Sequence, residues 1–328
     1  MQIVLSVCIS IAYADKQIKL AKKVILNMPQ LQASGIFCNY FLASRPWSFV
    51  MTGISIGVGG AVAAIDGTFA WNLFLLTLVG MISVHAATNL INDYYDIKSG
   101  VDSSEAATTQ YRPHPLSEGK LDPKNVQLVA YILFFLAALI GIWLAATRGW
   151  PILLIAFVGI LSSLFYSAPP LNYKYVALGE LSVFFMWGPL MVEGAYFVQR
   201  QAFSWKTLWI SIPFGILVAL VLLANNLRDI VPDKRQNIRT IAIILGEKKG
   251  FYLYAALVAL AYKSILLLLI FNVLSYWSLL VFASVPLAIR IFRTMLQKIP
   301  ENADAMTAQL DTAFGTLLLS SLVLEALI

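Results

Sequence analysis

The chain has 328 residues, 59% of them hydrophobic and only 12% charged, with 23 Lys/Arg against 17 Asp/Glu for a net charge of +6. A soluble domain carries about 25% charged residues, so half that amount points to a polytopic membrane protein, whose apolar runs are long enough for all-α spans. Two cysteines, Cys8 and Cys38, give no framework of disulfides or metal ligands, and two histidines, His85 and His114, argue against a zinc or haem site.

Residues 1–41 are expected to form an N-terminal extension ahead of a membrane domain at 42–328. Met1–Tyr13 is apolar but lacks a basic leader, so it makes a poor signal peptide. Lys16, Lys19, Lys22 and Lys23 follow on a stretch that suits an amphipathic surface helix. Met28 is an alternative start.

A crossing needs about 20 apolar residues. Spans are expected at 47–65, 71–92, 126–147, 151–168, 178–198, 207–227, 251–271, 274–292 and 306–328, about nine in all. Long polar connections fall at 93–125, 228–250 and 293–305. Lys/Arg bias sets orientation. With the N-terminus in the cytoplasm, 19 of the 23 Lys/Arg lie on that side; Arg148, Arg200 and Lys206 fall outside and Lys263 within a span.

Two acidic stretches close long apolar segments on that side. The first is Asn89-Leu-Ile-Asn92-Asp93-Tyr-Tyr-Asp96, continuing to Asp102, and the second is Asn225-Asn226-Leu-Arg228-Asp229-Ile-Val-Pro-Asp233. Both contain Asn-x-x-x-Asp, as Asn92/Asp96 and Asn225/Asp229, which suggests two related halves of four helices plus a ninth. Residues four apart share a helix face, so each pair presents oxygen ligands in one direction. Hard oxygen donors suit Mg²⁺, which shares its coordination with substrate phosphates. The pair is therefore expected to form one divided Mg²⁺–diphosphate site. Pro232 should end or kink the second helix. Arg112, Lys174, Arg228 and Arg239 are candidates to neutralise diphosphate oxygens. Tyr94, Tyr95 and Tyr166 are candidates to face an allylic cation.

The motifs resemble those of the UbiA superfamily of intramembrane aromatic prenyltransferases. Asn92-Asp93-Tyr94-Tyr95-Asp96 with Gly100-Val101-Asp102 resembles the first Asp-rich motif in the form of the MenA (1,4-dihydroxy-2-naphthoate prenyltransferase) branch. Arg112-Pro-His-Pro-Leu-Ser-Glu-Gly119 resembles the segment that follows. Tyr166-Ser-Ala-Pro-Pro-Leu171 with Lys174 and Gly179-Glu180 resembles the mid-chain motif. Asn225–Asp233, then Arg239-Thr240 and Leu245-Gly246, resemble the second Asp-rich motif, and Arg45-Pro46 also fits. The departures are Asn237 where Gly is usual, which Asn tolerates in left-handed backbone, and Lys234 where Arg is usual.

The resemblance implies a ring of about nine transmembrane helices around a central cavity that opens to the bilayer. It implies Mg²⁺ held by Asp96, Asp229 and Asp233 with Asn92 and Asn225, and with Asp93 and Asp102 as secondary candidates. Lys174 and Arg228 would hold the diphosphate, Arg45 and Arg112 would assist, and Tyr166 would sit near the ionising carbon. The partners implied are a polyprenyl diphosphate and an aromatic acceptor, 1,4-dihydroxy-2-naphthoate in menaquinone synthesis; no nucleic acid or obligate protein partner is implied. The alternative acceptor is a prenylglyceryl phosphate. A secondary transporter is the competing class, but its acids would sit near the midplane, whereas these sit at the cytoplasmic helix ends.

Four ionisable residues lie inside expected spans: His85, Glu193, Lys263 and Asp311. Each marks either a functional group or a cavity-lining or packing role. The packing or cavity-lining role is the preferred reading for each, and Glu193 is the one that could approach an acceptor's hydroxyl or carboxyl.

Overall fold

A computed structural model describes residues 29–99 and 112–328, with side chains from Gly35 onward. Asp102 and the lysines at 16–23 lie outside the described residues. The elements are α1 (Pro29–Ala43), α2 (Phe49–Ile65, entered through a 3-10 turn at Pro46–Ser48), α3 (Trp71–Lys98) and α4 (Pro123–Arg148). They continue as α5 (Pro151–Phe165), α6 (Gly179–Arg200), α7 (Trp205–Arg228), α8 (Ile230–Arg235), α9 (Ile241–Ile270), α10 (Tyr276–Gln297) and α11 (Ala303–Leu327). Among the described residues, 8 helices are long and apolar enough to cross a membrane. The expected fourth span is the shorter α5, whose 15 residues extend about 22 Å at about 1.5 Å per residue.

Local chemistry sets the helix starts. The Asp122 carboxylate accepts from Asn125 N at 3.0 Å ahead of Pro123, which needs no N–H partner in a first turn. Ser204 caps α7 through Thr207 N, at 3.3 Å, and Thr240 caps α9 through Ile243 N, at 3.2 Å. Such caps are worth about 1 kcal/mol each.

Helix α7 is the axis of the bundle. Phe214, Leu217 and Leu220 are fully buried and pack with Tyr254 of α9 and Phe314 and Leu318 of α11. A second cluster joins α3 and α4 through Leu90, Ile91, Val126 and Phe134. Each acid-bearing helix packs most extensively on the next long helix, α3 on α4 and α7 on α9. Outward faces carry Phe135, Trp143, Phe157 and Ile270, the apolar surface a bilayer requires.

Two departures from the expected spans matter. Helix α3 runs on to Lys98, so Asn92 and Asp96 are helical, and not at the start of a loop. Helix α7 stops at Arg228, with Asp229 out of helical geometry (φ −94°, ψ 13°). The break precedes Pro232, which lies within the first turn of α8 and costs no hydrogen bond there. Asn237 takes the left-handed backbone expected of it, φ 58°.

Helix α6 is interrupted by a π turn at Met186–Leu190, where Gly188 leaves helical geometry and Pro189 follows. A Cβ on Gly188 would stand 3.1 Å from Gly215 Cα and 3.2 Å from Ser211 O. Only glycine lets α6 and α7 cross this closely, and the crossing aims Met186 and Trp187 at the central cavity.

Candidate functional site

At the end of α3, Asn92 Nδ2 donates to Asp96 Oδ2 at 2.9 Å, as the four-residue spacing requires. The segment after α5 then closes over this face. Ser167 Oγ donates to Asn92 Oδ1 at 2.6 Å. Lys174 Nζ reaches Asn92 Oδ1 and Asp96 Oδ1, each at 2.5 Å, and the Tyr175 hydroxyl donates to the same Asp96 oxygen. The segment is braced by the 3-10 turn Tyr173–Tyr175 and by main-chain pairing with the far motif. Ala177 N donates to Arg239 O at 2.8 Å, and Arg239 N to Tyr175 O at 3.0 Å. Arg239 thus enters the site region through its backbone, while its side chain stands outside the cavity wall.

The end of α7 is built alike. Arg228 grips Asp229 through Nε (2.8 Å) and Nη2 (2.5 Å), and the same Nη2 donates to Asn225 Oδ1 at 2.8 Å. Arg228 Nη1 donates to Asp304 Oδ1 at 2.9 Å and to Glu301 O at 3.0 Å. Asp304, at the start of α11, also stands 4.0 Å from Arg112 Nη1. Asp304 was not among the residues expected in the site. Its signal was its place in the 293–305 connection, on the same expected membrane side as both acidic stretches.

Asp93 is on a different face from its neighbours. It is buried, takes the Arg45 guanidinium, and stands 3.7 Å from His114 Nε2. It does not line the cavity, so the secondary metal-ligand expectation for Asp93 gives way to a clasp joining α3, the α1–α2 turn and the 112–121 loop. Arg45 itself has φ 56° and ψ 58°, a left-handed geometry that costs a non-glycine residue about 1–2 kcal/mol.

These groups wall one cavity of about 1700 Å³, larger than the about 300–1,000 Å³ of ordinary ligand pockets and so roomy enough for two substrates. Its polar end carries Arg45, Asn92, Asp96, Arg112, Lys174, Asn225, Arg228, Asp229 and Asp233. Its apolar end is lined by Met51, Met186, Trp187, Val221 and Leu317. Burial, with Asp229 close by and Asp96 adding, pushes the Asp233 carboxyl up to about 7, against the pull of Lys174 and Arg228. That mutual influence fits acids meeting across one space. Among the described residues no three His, Cys, Asp or Glu side chains cluster as a ready-made metal cage. The donor set is instead hard oxygens balanced by cations, which fits Mg²⁺, an ion that takes one or two carboxylates plus substrate phosphates.

Of the three expected tyrosines only Tyr166 lines the cavity, 5.8 Å from Lys174 Nζ to ring centre and edge-on to Tyr173 at 5.6 Å. Tyr94 and Tyr95 meet edge-on beside Lys98, away from the cavity. Of the intramembrane ionisable residues, His85 borders the cavity. Glu193 does not: its Oε1 accepts from Ser204 N at 2.6 Å and closes the α6–α7 turn. Lys263 lies on an outward face, and Asp311 is buried off the cavity without a hydrogen-bond partner at either oxygen.

A membrane-helix bundle around a cavity with acids and cations at one end and apolar walls at the other defines an intramembrane enzyme class. The chain belongs to the UbiA prenyltransferase family, which it matches over residues 53–318. It is 32% identical over 286 residues to a 1,4-dihydroxy-2-naphthoate octaprenyltransferase of Bacillus subtilis (strain 168), covering 86% of this chain and 91% of that protein. It is also 32% identical over 297 residues to UbiA prenyltransferase domain-containing protein 1 of Xenopus tropicalis, covering 87% and 81%. A UbiA homolog from Archaeoglobus fulgidus bound to GPP and Mg²⁺ has the same fold, with TM-score 0.58 and 14% identity over 86% of this chain and 99% of that one.

Proposed function

We propose that the chain transfers a long isoprenyl group from a polyprenyl diphosphate to 1,4-dihydroxy-2-naphthoate, in the cell membrane with the polar end of the cavity facing the cytoplasm. The observation that carries this reading is the pair of Asn-x-x-x-Asp faces lining one cavity beside Lys174 and Arg228. The naphthoate acceptor is favoured by the spacing of the first acidic motif and by the name of the Bacillus subtilis relative. The cytoplasmic orientation is favoured by the Lys/Arg bias.

Asp96, Asp229 and Asp233, with Asn92 and Asn225, hold Mg²⁺, which when bound offsets the charge of the diphosphate. Lys174 and Arg228 occupy their acids in the resting protein, and an arriving diphosphate offers them stronger anionic partners. Arg45 and Arg112 add donors at the mouth. Fixed donors aimed at a departing anion are usually the largest catalytic contribution. As the C1–O bond breaks, the diphosphate leaves with the bonding electrons and Tyr166 turns its ring face toward the allylic cation. The ring carbon bearing the carboxylate attacks C1, a C–C bond forms, and the carboxylate leaves as CO₂, restoring the aromatic ring. The apolar walls keep water from capturing the cation.

The test is turnover of geranylgeranyl diphosphate with Mg²⁺ by purified protein in lipid, offered 1,4-dihydroxy-2-naphthoate, 4-hydroxybenzoate or a prenylglyceryl phosphate. The expected product is a decarboxylated prenyl-naphthoquinol, abolished in Asp96→Asn and Asp229→Asn. Product from the glyceryl phosphate alone moves the protein to ether-lipid synthesis.

A further inference from the structure

Three side chains of α3, His85, Asn89 and Asp93, recur every four residues on one helix face, and all three hold the Ser44–Ser48 turn between α1 and α2. Asp93 takes the Arg45 guanidinium. Asn89 Nδ2 donates to Ser44 O at 2.8 Å and to Ser48 Oγ at 3.4 Å. His85 Nε2 lies 3.1 Å from Ser48 Oγ. The turn contains the left-handed Arg45, whose carbonyl accepts from Ser48 N at 2.9 Å and from Ser48 Oγ at 2.7 Å.

These contacts assign the hydrogens. The single hydroxyl hydrogen of Ser48 goes to Arg45 O, so Ser48 Oγ must accept from His85, which therefore carries its proton on Nε2. With the buried ring neutral, His85 Nδ1 is an acceptor, and Thr52 Oγ1 meets it at 2.8 Å. The neutral ring is held edge-on between Phe49, at 5.4 Å, and Trp187, at 4.9 Å. The result is a directed chain running Thr52, His85, Ser48, Arg45 carbonyl.

We infer that His85 is a positioning residue for Arg45: through Ser48 it fixes the left-handed turn that presents the Arg45 guanidinium to the cavity. This rests on Arg45 gripping the diphosphate, as proposed above. Two features separate it from ordinary helix packing. His85, Ser48 and Arg45 all border the cavity, and the hydrogen-bonded chain ends on the carbonyl of the very residue whose backbone is strained.

The test is the dissociation constant of geranylgeranyl diphosphate with Mg²⁺, read by radioligand binding to the full chain in lipid nanodiscs, which needs no acceptor. His85→Phe keeps the ring between Phe49 and Trp187 but removes the donor; about ten-fold weaker binding is expected. His85→Gln returns an N–H near the Nε2 position and should bind within about three-fold of the parent. Ser48→Ala cuts the same link from the other side and should match His85→Phe, deciding the matter if the latter does not fold. The double variant His85→Phe/Arg45→Ala should bind no more weakly than Arg45→Ala, because the two act through one group. Multiplying effects in the double variant, or His85→Gln as impaired as His85→Phe, overturns the inference. So does Arg45→Ala weakening binding while His85→Phe and Ser48→Ala leave it intact, which removes the relay but keeps the grip. Unchanged binding in Arg45→Ala removes the grip itself and the relay with it.

Discussion

Lys174 offers the sharpest test of how the resting site is balanced. Its ammonium and the Asp96 carboxylate are 12% and 8% exposed and 2.5 Å apart, so solvent screens them little. Replacing Lys174 with Met keeps the stem and removes the charge. Breaking a buried ion pair from one side costs about 3–5 kcal/mol when nothing else satisfies the survivor. Here Asn92 and Tyr175 still donate to Asp96, so the loss should fall to about 2 kcal/mol, within the range for a charged hydrogen bond. At about 2–4 °C per kcal/mol for a larger chain, the apparent midpoint of the metal-free protein should drop by about 4–8 °C. Millimolar Mg²⁺ should recover more of that loss in Lys174→Met than it adds to the parent, because the exposed carboxylate then has a cation. Turnover should fall about 10²–10³-fold, the effect of removing one donor from a developing anion. Differential scanning fluorimetry in detergent with and without Mg²⁺ reads the first two quantities. Equal Mg²⁺ stabilisation of parent and variant would refute the idea that Lys174 stands in for the metal at Asp96.

Three further outcomes follow from the same geometry. Asp233 is pushed from its ordinary 3.8 up to about 7, so protons and Mg²⁺ compete there. Apparent Mg²⁺ affinity should climb as pH rises through about 7 and level off above it, while the metal-free protein loses stability from this group between those two values. Asp304→Asn removes the negative charge facing Arg228 Nη1, which keeps Glu301 O as a partner, and should raise the KM for prenyl diphosphate about ten-fold with a smaller change in kcat, measured by diphosphate release. Gly188→Ala forces a Cβ against Gly215 Cα and Ser211 O and should cost about 1–3 kcal/mol, read as a lower thermal midpoint.

The helical architecture was legible in the sequence because a bilayer demands long apolar runs, and the acidic pairs were legible because i, i+4 spacing survives in any helix. Lys174 and Arg228 stand beside their acids as expected. What stayed hidden depends on side-chain direction or long-range approach. Asp93 and Asp96 are three residues apart, yet one turns to Arg45 and the other to Lys174, a difference of face that the motif does not encode. Asp304 reaches Arg228 across 76 positions, beyond any local pattern. Glu193 looked like an acceptor contact from its depth alone, but the Ser204 amide claims it. The helix breaks at Asp229, one residue after the Arg228 carbonyl that an uninterrupted helix would have bonded to the N–H that Pro232 lacks.

The single main-chain bridge between Val176 and Arg239 has one more consequence. It couples the segment carrying Lys174 to the segment carrying Asp233 through amides and carbonyls, not side chains. Such a weld is blind to what side chains stand at 176 and 239, so drift there leaves it intact. Only loss of an amide hydrogen, as with proline at 177 or 239, would uncouple the two halves and let the cation and the acid travel independently.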